Sequence, residues 1–262
     1  MAEKYDSIGK EYNATRKADP YITNRIVHFL KPEATGVYLD LGCGTGNYTI
    51  ALNSTGVDMI GADPSYRMLE TAKSQNNKIR WIQGKAEKLP IKDGSINGVI
   101  ATLTIHHWGN LTKGFSEVYR VLKPGGRLVI FTSTPQQMKG YWLNHYFLEM
   151  MRSSIKQMPS LKEVEQSLKI TNLDFSESEP YNIQADLKDL FLYAGKYNPE
   201  FYLDDTNRNG ISSFTSLANA NEIKEGLKKL SIDIETKRIQ EIMEKYQNNG
   251  GDYLFICATK VN

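Results

Sequence analysis

The 262-residue chain predicts an α/β fold built on a doubly wound parallel sheet, and two observations carry that reading. Over the first 133 residues, short apolar runs alternate with helical stretches. Strands and helices alternating at this spacing imply right-handed crossovers and a sheet covered on both faces. The second observation is a set of alternate glycines directly after the first of those runs. Open parallel sheets bind their ligands beyond the carboxyl ends of their strands.

A leading helix over 20–30 carries Ile22, Ile26, Phe29 and Leu30 at helical spacing. Residues 36–40 form the first strand, a short apolar run that ends at a carboxylate. Further strands are predicted at 58–62, 79–82, 98–101 and 127–131, with helices at 47–54, 65–74 and 113–122 between them. Lys123-Pro-Gly-Gly126 stops the last of these helices and feeds the next strand. From residue 134 the pattern changes. Residues 141–158 and 161–168 read as helices and 175–184 as a strand. The stretch 185–247 reads as mostly helical, with breaks at Pro199 and Gly210. Asn248-Asn-Gly-Gly251 then turns the chain into a last strand-like run at 253–258, which returns most economically to the sheet. No linker is visible, so one domain over 1–262 is expected. It comprises a core at 1–133, a helical lid inserted at 134–250, and a terminal strand at 251–262.

Composition excludes several classes. Lys and Arg number 32 against 30 Asp and Glu, a formal charge of +2. That balance supplies no electrostatic reason to bind nucleic acid or an acidic membrane surface. Apolar runs fall far short of the ~20 residues of a bilayer span, and the first residues hold no apolar signal core. Cys43 and Cys257 lie far apart, and His28 and His145 belong to no ligand pattern. A cytoplasmic protein without a metal site is expected. The chain is rich in tyrosine, with 15.

Asp40-Leu-Gly-Cys-Gly-Thr-Gly46 is the most informative segment. Gly42, Gly44 and Gly46 allow a tight turn and close approach of a ligand to bare backbone. The spacing is not that of the dinucleotide fingerprint, and no Lys-Ser/Thr follows as in a Walker A loop. The second strand ends at Asp63, where a carboxylate can accept hydrogen bonds from both hydroxyls of a ribose. Ser65 is placed to cap the helix that carries Met68, Leu69 and Ala72.

These residues resemble the class I S-adenosylmethionine-dependent methyltransferases that act on small molecules. Asp40–Gly46 matches that family's first motif, and Gly61-Ala-Asp-Pro-Ser-Tyr-Arg-Met-Leu69 its second. Gly84-Lys-Ala-Glu-Lys-Leu-Pro90 resembles the third, and Glu117–Gly126 the stretch before the fifth strand. The resemblance covers residues 5–133. It implies a mostly parallel, seven-stranded Rossmann-like sheet and S-adenosylmethionine as cofactor, leaving S-adenosylhomocysteine as product. It further implies a glycine loop around the methionine moiety, with Asp40 in the loop's motif, and Asp63 on the ribose. Ala86 and Glu87 would face adenine, and Pro64 and Met68 would give it apolar cover.

Methyl transfer from a sulfonium is an in-line displacement in which orientation supplies most of the catalysis, so no nucleophile or triad is required. Ala101-Thr-Leu-Thr-Ile-His-His-Trp108 ends the fourth strand. This brings Thr102, His106 and His107 to the ligand edge, where either histidine can act as general base. Upstream, Tyr5, Tyr12 and Arg16 repeat a pattern found at the head of similar methyltransferases. There Tyr12 would face the reacting centre and Arg16 would pair with the cofactor carboxylate. Trp142 and Tyr146 are candidates to roof the acceptor. The expected function is methyl transfer to O, N or C of a small molecule, with no nucleic-acid or membrane partner. RNA or protein methylation, an inactive cofactor-binding module and a nicotinamide oxidoreductase are the competing readings.

Overall fold

Seven strands form one sheet in the order β3-β2-β1-β4-β5-β7-β6, in a computed structural model that describes residues 15–246 and 248–261. β1 (Val37–Leu41), β2 (Asp58–Asp63), β3 (Arg80–Gln83), β4 (Ile96–Thr102) and β5 (Leu122–Thr132) run parallel. β7 (Tyr253–Lys260) enters between β5 and β6 (Leu173–Tyr181) and is antiparallel to both. The sheet is thus doubly wound, mostly parallel and seven-stranded. It accounts for all five early strands and for the two later ones.

Alternation along the strands explains why both faces are covered. Leu128 and Ile130 join Leu39, Val99 and Ile256 on one face. Val129 and Phe131 join Tyr38, Ile100 and Phe255 on the other. α1 (Pro20–Leu30) opens on Asp19, whose carboxylate accepts from the Ile22 amide, with Pro20 in its first turn. Its buried stripe of Ile22, Ile26, Phe29 and Leu30 packs on the Phe131 face, as its spacing predicts. α2 (Asn47–Ser54) and α3 (Tyr66–Gln75) follow β1 and β2. Ser65 caps α3 by accepting from the Met68 amide. α4 (Leu111–Val121) buries Phe115, Val118 and Val121 on the Leu128 face.

After β5 come α5 (Pro135–Lys139), α6 (Leu148–Gln157) and α7 (Leu161–Ile170); after β6 come α8 (Asp205–Asn209), α9 (Ser212–Ser216), α10 (Ala220–Glu235) and α11 (Ile239–Lys245). The stretch 134–250 contributes β6 to the sheet, close to the strand expected at 175–184. The sequence-based expectations are modified in two places. The helix expected over 141–158 begins as a short 3-10 turn at Trp142–His145, and regular α-helix starts only at Leu148. The Asn144 amide explains the break: it donates to the Met138 and Tyr141 carbonyls and so supports a local turn. Residues 185–198 form turns rather than helix. Several of their amides bond within these turns, while two are satisfied from afar, Lys188 by the Asp19 carboxylate and Leu190 by the Thr15 carbonyl.

Candidate active site

The glycine loop starts where β1 ends. Gly42, Gly44 and Gly46 all have left-handed φ, at 79°, 53° and 83°, a conformation that costs a side chain strain. Gly42 and Cys43 donate their amides to the Ala62 carbonyl at 2.8 and 3.1 Å, which ties the loop to β2. A Cβ on Gly42 would fall 2.0 Å from Thr104 Oγ1, whereas one on Gly44 would meet nothing within 4 Å. The loop is therefore packed below and open above. Gly46 differs: a Cβ there would strike the Trp81 ring, so its glycine serves packing between α2 and β3.

Two buried carboxylates flank the loop. Asp63 accepts from the Gly44 amide at 2.9 Å through one oxygen and from the Ser65 amide at 2.8 Å through the other. These bonds fix the plane of a group that can only accept when ionised. Asp40 accepts from Thr49 Oγ1 at 2.6 Å. Burial pushes its carboxyl up to about 7, opposed by the Thr49 hydrogen bond and reinforced by the nearby Asp63 charge. The Cys43 thiol between them is raised well above its ordinary value, chiefly by burial and then by both carboxylates. It is thereby kept as an inert thiol rather than a nucleophile.

β4 ends at Thr102, whose Oγ1 is buried with no hydrogen-bond partner among the described residues. Leu103 follows in left-handed conformation at φ 51° and donates its amide to the Phe131 carbonyl at 2.7 Å. A leucine in this region is a local strain of the kind that clusters at functional sites. It reverses the chain into a short 3-10 turn, Ile105–His107, in which the His106 and His107 rings lie 3.9 Å apart.

Loop, carboxylates and histidine turn line one cleft that is partly open to solvent. The lid closes it from above with residues of α6, α9 and the turn around Phe191. Arg16 clasps the lid to the glycine loop. Its guanidinium binds both oxygens of Asp189 at 2.5 and 3.2 Å, and its carbonyl accepts from the Asn47 amide group. Tyr48 donates its hydroxyl to the same Asp189 at 3.2 Å. Burial, then the Asp189 charge, raises the Tyr48 phenol well above its usual range and keeps that proton in place.

Most of the expected residues meet on this cleft. Asp40, Gly42, Gly44 and Asp63 line it from the loop side, with Met68 beside them. Arg16 lines it as well, but with its charge directed at Asp189. Thr102, His106 and His107 line it from β4. Gly46, Pro64, Ala86 and Glu87 do not. The Pro64 carbonyl accepts from Gln83, Ala86 packs in the core under α4, and Glu87 accepts from the Asn110 amide. Tyr12 and Tyr5 lie outside the described residues. Trp142 and Tyr146 are core of the lid rather than its inner wall: Trp142 donates to the Lys196 carbonyl and Tyr146 to Asp233. Phe191 and Tyr253 line the cleft instead. Asn47, Tyr48 and Asp189 were not expected. The first two directly follow the glycines and were within reach of the motif, whereas Asp189 carries no local signal. No group of three or more metal-ligating side chains occurs among the described residues.

A bare-backbone loop after β1, a fixed carboxylate at the end of β2 and an unpartnered hydroxyl at the end of β4 thus share one cleft beyond the carboxyl ends of a Rossmann-like sheet, where such sheets bind their ligands. Comparison with known proteins narrows the class. Residues 39–130 match the family of methyltransferase domains. An uncharacterized methyltransferase of Mycobacterium tuberculosis is 32% identical over 135 residues, which are 52% of this chain and 55% of that protein. The chain thus spans about half the length of such curated relatives. A demethylmenaquinone methyltransferase of Beutenbergia cavernae is 26% identical over 180 residues, 64% of this chain and 75% of that one. A crystal structure from Anabaena variabilis, described as a methyltransferase of an antibiotic biosynthesis pathway, matches at TM-score 0.83 and 32% identity. It covers 94% of this chain and 99% of that one. The chain belongs to the class I S-adenosylmethionine-dependent methyltransferases.

Proposed function

We propose that the chain transfers a methyl group from S-adenosylmethionine to an O, N or C atom of a small organic molecule. The observation that carries this reading is the single lidded cleft on which the glycine loop, Asp63 and the histidine turn converge. Bound S-adenosylmethionine supplies a methyl group already activated by its sulfonium. Asp63, oriented by the Gly44 and Ser65 amides, accepts from the ribose hydroxyls. Gly42 and Gly44 let the methionine moiety approach bare backbone, Met68 covers adenine, and the Thr102 hydroxyl gains the partner it lacks.

Holding acceptor and methyl donor in line supplies roughly 7–11 kcal/mol of the barrier. The lid keeps water from the reacting atoms. His107, with His106 beside it, takes the proton of an oxygen or nitrogen acceptor. The demethylmenaquinone and antibiotic-pathway relatives support a small molecule as acceptor. No described helix is long and apolar enough to cross a membrane. The unpaired Cys43 and Cys257 suit a reducing cytoplasm.

Calorimetry with S-adenosylmethionine, S-adenosylhomocysteine and NAD tests the cofactor. Binding of the first two is expected, and tight NAD binding without S-adenosylhomocysteine binding would sink the proposal. A labelled methyl donor incubated with a metabolite extract should then yield a labelled product for mass identification.

A further inference from the structure

We infer that the methyl acceptor is an uncharged molecule with an apolar body, and that the Ser154–Ser213 hydroxyl pair selects it by donating to a neutral oxygen. The inference rests on the methyltransferase reading and adds the acceptor's chemistry to it.

The lid side of the cleft carries an apolar stretch of Met138, Met158, Phe191, Leu192, Ile211 and Leu217, broken by Gln157 and by serines. Its acidic group, Asp189, is paired with Arg16. The other basic groups on the cleft, His106 and His107, stand on the β4 side. An anionic acceptor would therefore lie against a lid wall that supplies no cation of its own among its described residues, and burying an unpaired charge is heavily unfavourable. A cationic acceptor would find its only lid carboxylate engaged, and would approach a sulfonium of like charge.

Within this wall stand two buried hydroxyls. Ser154 on α6 is 3% exposed and Ser213 on α9 is 8% exposed, and both line the cleft. Ser154 Oγ donates to Ser213 Oγ at 2.9 Å. A serine hydroxyl carries one proton and accepts at two positions. The bond uses Ser154's proton, which leaves Ser213's own proton available to an oxygen bound in the cleft that Ser213 lines. A carbonyl, phenol or ether oxygen on the acceptor completes the chain, and a donating hydroxyl on the acceptor can bond to the remaining lone pairs. A site built to hydrogen-bond such an oxygen discriminates strongly against the analogue that lacks it, because its polar groups are then left unpaired.

The test uses the full chain saturated with S-adenosylhomocysteine and titrated calorimetrically with matched probes. These are phenol, benzene and benzoate, and 2-naphthol, naphthalene, 2-naphthoate and 2-naphthyl phosphate. At least one of the two hydroxylated probes should bind. Its unsubstituted and anionic counterparts should bind at least tenfold more weakly. Ser213→Ala should weaken the hydroxylated probe at least fivefold, while S-adenosylhomocysteine affinity stays as in wild type. Ser213→Cys, of similar size but a poor donor, should show the same loss and carries the comparison where the alanine variant misfolds. Equal or tighter binding of an anionic probe, an unaffected Ser213 variant, or no binding by either hydroxylated probe would each overturn the assignment. Failure to bind S-adenosylhomocysteine at all would instead remove the methyltransferase reading beneath it.

Discussion

Replacing Asp40 by asparagine should stabilise the ligand-free protein at neutral and alkaline pH. Burial holds the folded-state carboxyl at about 7, against 3.8 for the ordinary group. Each pKa unit is worth ~1.4 kcal/mol, so ionised Asp40 costs the folded state about 4 kcal/mol once the pH is above 7. Between roughly pH 4 and pH 7 the folded chain binds more protons than the unfolded one, and stability falls as pH rises. The favourable neutral carboxyl is fully present below that window and lost through it. Asparagine keeps an oxygen for the Thr49 hydroxyl, which now donates at 2.6 Å, and does not titrate. Urea unfolding of both proteins at pH 5, 6, 7 and 8 isolates the effect, because the other groups cancel in the difference. The variant's advantage should grow steadily with pH toward that magnitude. A difference that stays flat with pH would refute the placement of a neutral carboxyl at Asp40.

Other outcomes follow from the same geometry. Asp63→Ala should weaken S-adenosylhomocysteine binding at least tenfold in calorimetry, and wild-type affinity would remove Asp63 from the ribose. His107→Ala, assayed once an acceptor is known, should lower turnover far more than cofactor affinity; an unchanged rate would leave His107 as a wall of the cleft. Asp189→Ala removes the carboxylate that Arg16 and Tyr48 share, and should destabilise the fold by about 3 kcal/mol in urea unfolding. An unchanged midpoint would mean that the clasp does not hold the lid to the loop.

The cofactor side of the site was legible because it is local. Asp40, Gly42, Gly44 and Asp63 sit at the ends of neighbouring parallel strands, so strand order alone brings them together. Thr102 and the histidines follow by the same logic from β4. The acceptor side was not legible, because its contacts are long-range. Arg16 and Asp189 are 173 positions apart, and nothing near Asp189 announces a partner. The aromatic spacing at Trp142 and Tyr146 reads equally well as roof or core. Core prevails because Trp142 finds the Lys196 carbonyl and Tyr146 finds Asp233 inside the lid. Residues 185–198 form successive tight turns, and two of their amides, Lys188 and Leu190, bond to partners contributed by the distant segment at 15–19, which no local propensity records.

The position of β7 has a consequence for how the molecule is made. β5 and β6 are both synthesised before it, yet neither touches the other, and β7 pairs with both. A nascent chain can assemble the parallel strands and the glycine loop, but β5 stays an open edge until residues 253–260 leave the ribosome. The β6 strand and α7 wait with it. Until then the exposed β5 edge is a template for any passing strand, so this is the interval in which a chaperone would matter most. Ligand binding at the early-formed strands could shorten the wait only by steadying that edge, whereas loss of β7 would leave the acceptor side unbuilt.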